Sequence, residues 1–107
     1  GRVNHYSRRD LVREGTAAEE QLVRQALKNS IGGILFVDQA GDLFHPEDPN
    51  DRGVIALGIL YGILTREKPE VLVILSDIDE EICWKLFPIC RSFFRAGFVS
   101  KIIVLRN

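Results

Sequence analysis

Polar side chains follow two uninterrupted apolar runs of the sequence, and these residues have the types and positions to do chemistry. Asp38 and Gln39 come directly after the run ILFV, and Ser76 and Asp77 come directly after the run VLVIL. In open α/β sheets, ligands bind beyond the carboxyl ends of the strands, so we expect these side chains to lie close together. Carboxylate oxygens are ligands that Mg²⁺ prefers. Asp38 is therefore a candidate magnesium ligand.

The segment after Asp38 contains four more potential ligands, Asp42, His45, Glu47 and Asp48. Their oxygen and nitrogen atoms suit a divalent cation. The alternative interpretation is that polar residues simply collect at strand ends and in surface loops. The sequence leaves both interpretations open.

Motifs for other chemistry are absent from the sequence. Neither the GxxxxGK[ST] phosphate loop nor the GxGxxG dinucleotide fingerprint occurs in it. No Ser–His–Asp or Cys–His set is apparent, and we expect His5 and His45 to be solvated. Cys83 and Cys90 lie two turns apart on one predicted helix, which is too far for a disulfide. We expect both to be reduced thiols in the core.

Short apolar runs alternate with amphipathic segments along the chain. The predicted strands are Val3–Tyr6, Ile34–Val37, Val71–Leu75 and Lys101–Leu105, and the predicted helices cover about 16–29, 52–66 and 79–97. Continuously apolar strands are typical of parallel sheets with both faces covered. The order β-α-β-α-β-α-β predicts right-handed crossovers and a three-layer α/β/α sandwich with a mostly parallel sheet of about four strands. One domain is expected to span residues 1–107.

The helix ends and helix faces can also be predicted. The sequence TAAE at 16–19 has the form of a capping box for the first helix, and Asn50 or Asp51 can cap the second. The second helix has an apolar stripe of Val54, Leu57, Tyr61 and Leu64. Gly58 and Gly62 lower helix propensity, so we expect them to let another element approach closely.

Composition excludes some partners and locations. The net charge of −1 does not favour nucleic acid as a partner. No apolar run approaches the ~18 residues that a membrane-spanning helix needs. We therefore predict an intracellular, soluble and most simply cytoplasmic protein with no membrane or nucleic-acid partner.

The sequence GGILFVDQA, followed by a loop, a helix and EVLVILSD, resembles the Walker B to sensor 1 segment of AAA+ ATPases. The rubisco-activase-like CbbX/CfxQ group is the most similar branch. The flanking sequences SRRDLVREG and GFVSKI resemble the stretch after the second strand of that family and its arginine-finger region, so the resemblance covers roughly residues 7–105. It implies that Asp38 is the Walker B aspartate, which holds magnesium, and that Ser76 occupies the sensor 1 position.

The departures from the family pattern affect residues that the family uses for ATP hydrolysis. Gln39 stands where the family has the glutamate that activates the attacking water, and an amide cannot accept that proton. Val99 stands at the arginine-finger position, where it cannot neutralise phosphate charge, and Lys101 replaces the second arginine. The aromatic pore-loop residue has no counterpart. The resemblance further implies a domain without the first strand, the phosphate loop or the lid of the family.

The absent first strand raises a question of sheet topology. In AAA+ proteins that strand lies between the fourth and the fifth strands. The last strand predicted here must therefore pair directly with the strand Val71–Leu75, or another chain must fill the slot. An unpaired strand edge of this kind favours pairing.

The sequence predicts a catalytically inactive AAA+-like domain with a structural role or a role in protein–protein interaction or self-association, and without a cofactor. The alternative is the C-terminal part of an ATP-binding module that uses ATP and Mg²⁺ and whose phosphate loop lies before residue 1. A third interpretation is a receiver-like phosphoacceptor with Asp38 and Ser76 at neighbouring strand ends. Receivers need a lysine at the end of the last strand, whereas Lys101 lies at its beginning.

Overall fold

The computed structural model describes residues 3–13, 18–43, 48, 51–77 and 103–105. In chain order its strands and helices are β1 (Val3–Tyr6), α1 (Arg8–Leu11), α2 (Glu19–Asn29), β2 (Ile34–Val37), α3 (Arg52–Glu67), β3 (Leu72–Leu75) and β4 (Ile103–Leu105), with a 3-10 turn at Ala40–Leu43 between β2 and α3. The α/β fold class is confirmed. The third predicted helix, with Cys83 and Cys90, lies outside the described residues.

The sheet has the strand order β1-β2-β3-β4, and its first three strands are parallel. The pairs Val37↔Leu75 and Ile74↔Val104 fix the register around the strand ends. β4 pairs directly with β3, which is one of the two predicted arrangements. It runs antiparallel while the other three strands are parallel, so the predicted mostly parallel sheet is confirmed, although the alternating order of elements does not indicate this reversal. A free strand edge accepts either direction, because both directions satisfy its N–H and C=O groups.

The core that the described residues form lies on one face of the sheet. Leu35, Val37, Val73 and Leu75 alternate along β2 and β3 and are each at most 1% exposed. They form one cluster with the buried side chains of the two longer helices, Val23, Ala26 and Leu27 of α2 and Ala56, Leu60, Ile63 and Leu64 of α3. Burying each of the larger aliphatic side chains contributes about 1.5–3 kcal/mol. This packing fixes where β2 and β3 end.

The helix α2 begins later than the capping box predicted. Its N-cap is Ala18, and Thr16 lies outside the described residues. Glu19 is 2% exposed and accepts hydrogen bonds from both Nε and Nη2 of Arg52, the latter at 2.6 Å. A buried carboxylate requires such a partner. The Glu19–Arg52 pair therefore joins the first turns of α2 and α3.

Asp51 is the N-cap of α3, which confirms one of the two predicted caps, Asn50 and Asp51. Its Oδ2 accepts hydrogen bonds from the amides of Gly53 at 3.0 Å and Val54 at 3.3 Å. The predicted apolar stripe was largely wrong, since the buried face consists of Gly53, Ala56, Leu60, Ile63 and Leu64, and Val54, Leu57 and Tyr61 pack at its margin. Apolar residues surround most of this helix, so their spacing does not define one stripe.

The prediction for the two helical glycines was also wrong. Among the described residues, a Cβ atom at Gly58 would meet nothing within 4 Å, and one at Gly62 would meet only the end of the flexible Arg66 side chain. The close approach occurs instead at Gly53, where a Cβ atom would overlap the carbonyl oxygen of Leu43. The glycine that packing requires therefore lies in the first turn of α3.

Candidate functional site

The carboxyl end of β2 carries a bulge. Because Val37 pairs with Leu75, an unbroken parallel ladder would give the carbonyl of Ser76 the amide of Gln39 as its donor. The donor is instead the amide of Ala40, at 2.8 Å, while the amide of Ser76 donates to Val37 O at 3.0 Å. Asp38 and Gln39 thus oppose the single residue Ser76, which defines a bulge. Gln39 has a φ of 50°, in the left-handed region.

Hydrogen bonds orient the carboxylate of Asp38. Its Oδ1 accepts from the amide of Gln39 at 2.9 Å and from the hydroxyl of Ser76 at 3.1 Å. Its own amide donates to Tyr6 O at 2.8 Å, which extends the β1–β2 ladder past Val37. Nothing in the described part of the chain donates to Oδ2, and the side chain is exposed. One oxygen is therefore held in place and the other remains available to a ligand.

The structure describes three of the five predicted cation ligands, Asp38, Asp42 and Asp48. The described residues contain no group of three or more His, Cys, Asp or Glu side chains that could hold a metal ion. Asp42 lies on the 3-10 turn and Asp48 is exposed, whereas His45 and Glu47 lie outside the described residues. A magnesium ion at Asp38 stays a prediction, because one exposed carboxylate does not make a site.

Asp38 and Gln39 line an open cleft at the carboxyl ends of β1 and β2. Its volume is about 500 Å³, and its lining residues are Ser7, Arg8, Arg9, Val12, Asp38, Gln39 and Asp42. Ser76, buried at 8% exposed, does not line the cleft but orients Asp38 from the neighbouring strand. Asp38 and Gln39 therefore lie together at this edge of the sheet, and Ser76 contacts Asp38, while the role of these residues as a functional site stays a prediction.

Asp77, the fourth predicted residue, has a backbone role. Its φ is 58°, and its carbonyl oxygen would lie 2.7 Å from a Cβ atom placed on Gly41. Only glycine allows the 3-10 turn to approach β3 this closely. Gly41 and Asp77 thus hold the turn that follows the bulge against the end of β3.

Sequence reasoning missed Arg8, which forms one wall of the cleft. Its Nη2 and Nη1 bind the two carboxylate oxygens of Asp51 at 3.1 and 3.2 Å, and Nη1 also donates to the carbonyl of Asp42 at 2.9 Å. The available signal was a cation directly after β1, at the same sheet edge as Asp38. Its partner lies 43 residues away in sequence, and no spacing rule reveals such a pair.

Val99 and Lys101 lie outside the described residues, so their assignment to the arginine-finger region stays a prediction. His5, which was expected to be only solvated, is exposed but packs against Phe36, with the two rings 5.0 Å apart and tilted by 49°. This contact lies on the face of the sheet opposite the buried Leu35 and Val37. His5 thus covers the edge of that face and has no place in the cleft.

A second concavity lies at the other end of the sheet, between the C-terminal turns of α2 and α3. This groove has a volume of about 320 Å³ and is lined by Arg24, Leu27, Lys28, Ile31, Ile63, Glu67 and Pro69. Ile31 is 57% exposed. Arg24 and Glu67 form an ion pair at 2.9 Å, and the hydrogen bond from Arg24 lowers the pKa of the Glu67 carboxyl. The groove combines an apolar floor with a charged rim.

None of the helices in the described ranges is long and apolar enough to cross a membrane.

Comparisons with known proteins address the segment around Asp38. No family model matches the chain. Protein CfxQ of Xanthobacter flavus is 32% identical over 82 residues, which are 77% of this chain and 26% of that protein. Protein CbbX of Cereibacter sphaeroides is 28% identical over 104 residues, which are 95% of this chain and 31% of that protein. A chloroplastic ribulose bisphosphate carboxylase/oxygenase activase of Cyanidioschyzon merolae is 28% identical over 82 residues, or 77% of this chain and 28% of that protein.

The chain spans only about a quarter to a third of the length of these relatives, between 26% and 31%. These relatives include bacterial proteins and a chloroplastic protein. All of these relatives are AAA+ proteins with the P-loop NTPase fold. The resemblance that the residues around Asp38 predicted is confirmed. Over at least three quarters of its length, the chain is similar to a segment of the CbbX/CfxQ group of AAA+ proteins.

Proposed function

We propose that this chain is an AAA+-type segment that does not hydrolyse ATP and that acts in protein assembly, by binding a partner protein or a second copy of itself. The observation that carries the proposal is Gln39 on the bulge beside Asp38. A general base must accept a proton from the attacking water, and an amide side chain has no basic atom for it. The cleft retains the aspartate and lacks the base.

The charges of the cleft support the same proposal. Stabilising a transferring phosphoryl group requires cations that are free to contact its oxygens. Arg8 already binds both carboxylate oxygens of Asp51. In the described part of the lining this leaves Arg9 to oppose the carboxylates of Asp38 and Asp42, so a polyphosphate would meet two carboxylates and only one arginine besides the engaged Arg8.

The groove at the opposite end of the sheet supports a role in assembly. Exposed apolar surface with a polar rim is typical of protein contact sites. Ile31 is one of two large hydrophobic side chains that are strongly exposed in the described ranges, and it lies in this groove. An intracellular location, with a protein partner and no nucleic-acid partner, is part of the same proposal.

Light scattering coupled to size-exclusion chromatography tests self-association. We expect a concentration-dependent increase in mass that Ile31→Ser reduces, whereas the exposed and distant Arg9→Ser leaves it unchanged. A monomer at every concentration would contradict self-association and leave a different protein as the partner. Binding of Mg-ATP by the same samples tests the absence of nucleotide chemistry.

One specific observation favours a second candidate function. The relatives are about three to four times longer than the matched segment. Residues beyond this sequence would then supply a phosphate loop, and Asp38 would hold Mg²⁺ with ATP as the ligand. The two candidates differ in one experiment: a longer polypeptide of the same protein binds Mg-ATP only in the second. Gln39→Glu would raise its hydrolysis rate if Gln39 is what limits the chemistry.

A further inference from the structure

We propose that Arg8 is a positioning residue that holds the segment after β2 against the start of α3 and so fixes the wall of the cleft. We call its contacts with Asp42 and Asp51 the latch. The guanidinium joins three separate parts of the chain: α1, the 3-10 turn at Asp42 and the N-cap of α3 at Asp51. No family pattern or metal ion enters this inference. It holds whether the cleft binds a nucleotide or a protein.

The geometry is that of a strong ion pair. Two parallel N–H groups of Arg8 bind the two oxygens of Asp51 at 3.1 and 3.2 Å, and a planar fork of this kind is specific to arginine. The side chains are 24% and 11% exposed, so water screens the pair less than an ordinary surface ion pair. The additional bond to the carbonyl of Asp42, at 2.9 Å, extends the contact to the turn.

Gly53 makes room for the latch. A Cβ atom at this position would lie 2.6 Å from Nη1 of Arg8 and 2.8 Å from Oδ2 of Asp51, and it would also overlap the carbonyl of Leu43. Distances under 3 Å force the neighbouring atoms to move. The absence of a side chain in the first turn of α3 therefore lets the guanidinium reach both of its partners.

The guanidinium of Arg8 thus binds both Asp42 and Asp51, the two ends of the segment between them. The turn at one end is continuous with the bulge of Asp38 and Gln39, and both the bulge and Arg8 line the cleft. The position of the bulge relative to α1 therefore depends on Arg8. Loss of the latch is expected to loosen this edge of the cleft before it affects the core on the other side of β2.

Residue-resolved amide hydrogen exchange on the intact chain tests the latch, because it separates local opening from global unfolding. In Arg8→Ala we expect roughly tenfold faster exchange at the amides of Asp42 and Ile55, where tenfold corresponds to about 1.4 kcal/mol. The amides of Leu35 and Val73 in the sheet should exchange at the original rate. Arg9→Ala is the matched control, since Arg9 lines the same cleft and neighbours Arg8.

Two further variants keep the test decisive. Gly53→Ala should accelerate the same amides as Arg8→Ala, because its methyl group would overlap the carbonyl of Leu43 and lie 2.6 Å from Nη1 of Arg8. Arg8→Lys should fall between wild type and Arg8→Ala, since it keeps the charge and loses the fork. The proposal is overturned if Arg8→Ala exchanges like Arg9→Ala, or if exchange rises equally in the turn and the sheet, which would show a general loss of stability.

Discussion

The buried hydroxyl of Ser76 donates a hydrogen bond to Oδ1 of Asp38 at 3.1 Å across the ends of two parallel strands. The same oxygen accepts the amide of Gln39 at 2.9 Å, and the bulge at this position provides the geometry for both bonds. These two bonds define the orientation of the Asp38 carboxylate. A carboxylate so placed contributes to the fold as well as to any chemistry in the cleft.

Ser76→Ala should destabilise the protein by about 1.5–3 kcal/mol at neutral pH, the usual range for a hydrogen bond to a charged group. Urea denaturation followed by circular dichroism measures this change. The effect should largely disappear in an Asp38→Ala background, because the two side chains act on each other. Equal losses in both backgrounds would show that Ser76 matters only for packing.

Gln39→Gly should stabilise the protein, by up to about 1–2 kcal/mol, because a positive φ is costly for a residue with a Cβ atom. The entropy of the unfolded glycine chain offsets part of this gain. Lys68→Gly is the matched control, since Lys68 ends α3 with a φ of 48° and glycine is favoured at that position. A loss of stability in Gln39→Gly, with a gain in Lys68→Gly, would show that the Gln39 side chain makes a needed contact.

Gly41→Ala and Gly58→Ala should change stability in opposite directions. The new methyl group at Gly41 would lie 2.7 Å from the carbonyl of Asp77 and force the turn away from β3, at a cost of about 1–3 kcal/mol. At Gly58 the space is open, and alanine in a helix interior should stabilise by about 0.5–1 kcal/mol. Midpoints of thermal unfolding distinguish the two outcomes, and a neutral Gly41→Ala would contradict the close approach.

Stability should fall in acid because of Glu19. Its hydrogen bonds from Arg52 lower the pKa of the Glu19 carboxyl in the folded protein below its unfolded value of about 4.3. A lowered folded pKa means that the stabilisation is fully present above the unfolded pKa and is lost as the pH falls through the folded pKa. Glu19→Gln should therefore be less stable than wild type at pH 7 and should show a weaker decline below about pH 4.3.

The exposed neighbour Glu20 is the control for the loss of stability in Glu19→Gln, since it lies in the same first turn of α2 without the Arg52 contact. Glu20→Gln should leave the stability at pH 7 close to that of wild type. Identical profiles for wild type and Glu19→Gln would show that the ion pair with Arg52 does not contribute to stability.

The strands could be predicted because their signal is local. Ile34–Val37 and Leu72–Leu75 are short, continuously apolar and followed by polar residues, so both their identity and the edge where Asp38 lies follow from the sequence. The bulge could not be predicted, because glutamine is not a residue that indicates a positive φ. The direction of β4 depends on which strand edge is free, which the order of elements does not encode.

The contacts that shape the cleft could not be predicted for a different reason. Arg8 and Asp51 are 43 residues apart, and Glu19 and Arg52 are 33 apart, so only the packing of helices on the sheet brings them together. The buried face of α3 was predicted wrongly because apolar residues surround the helix, whereas the Asp51 cap depends on adjacent residues and was predicted correctly.

We propose that this chain carries a Walker B-like strand without the nucleotide chemistry. Isothermal titration calorimetry with Mg-ATP tests this proposal, with wild type and Gln39→Glu measured side by side. We expect no saturable heat for either protein at millimolar ATP and no release of phosphate. Saturable binding of Mg-ATP by the wild-type chain, lost in Asp38→Ala, would contradict it.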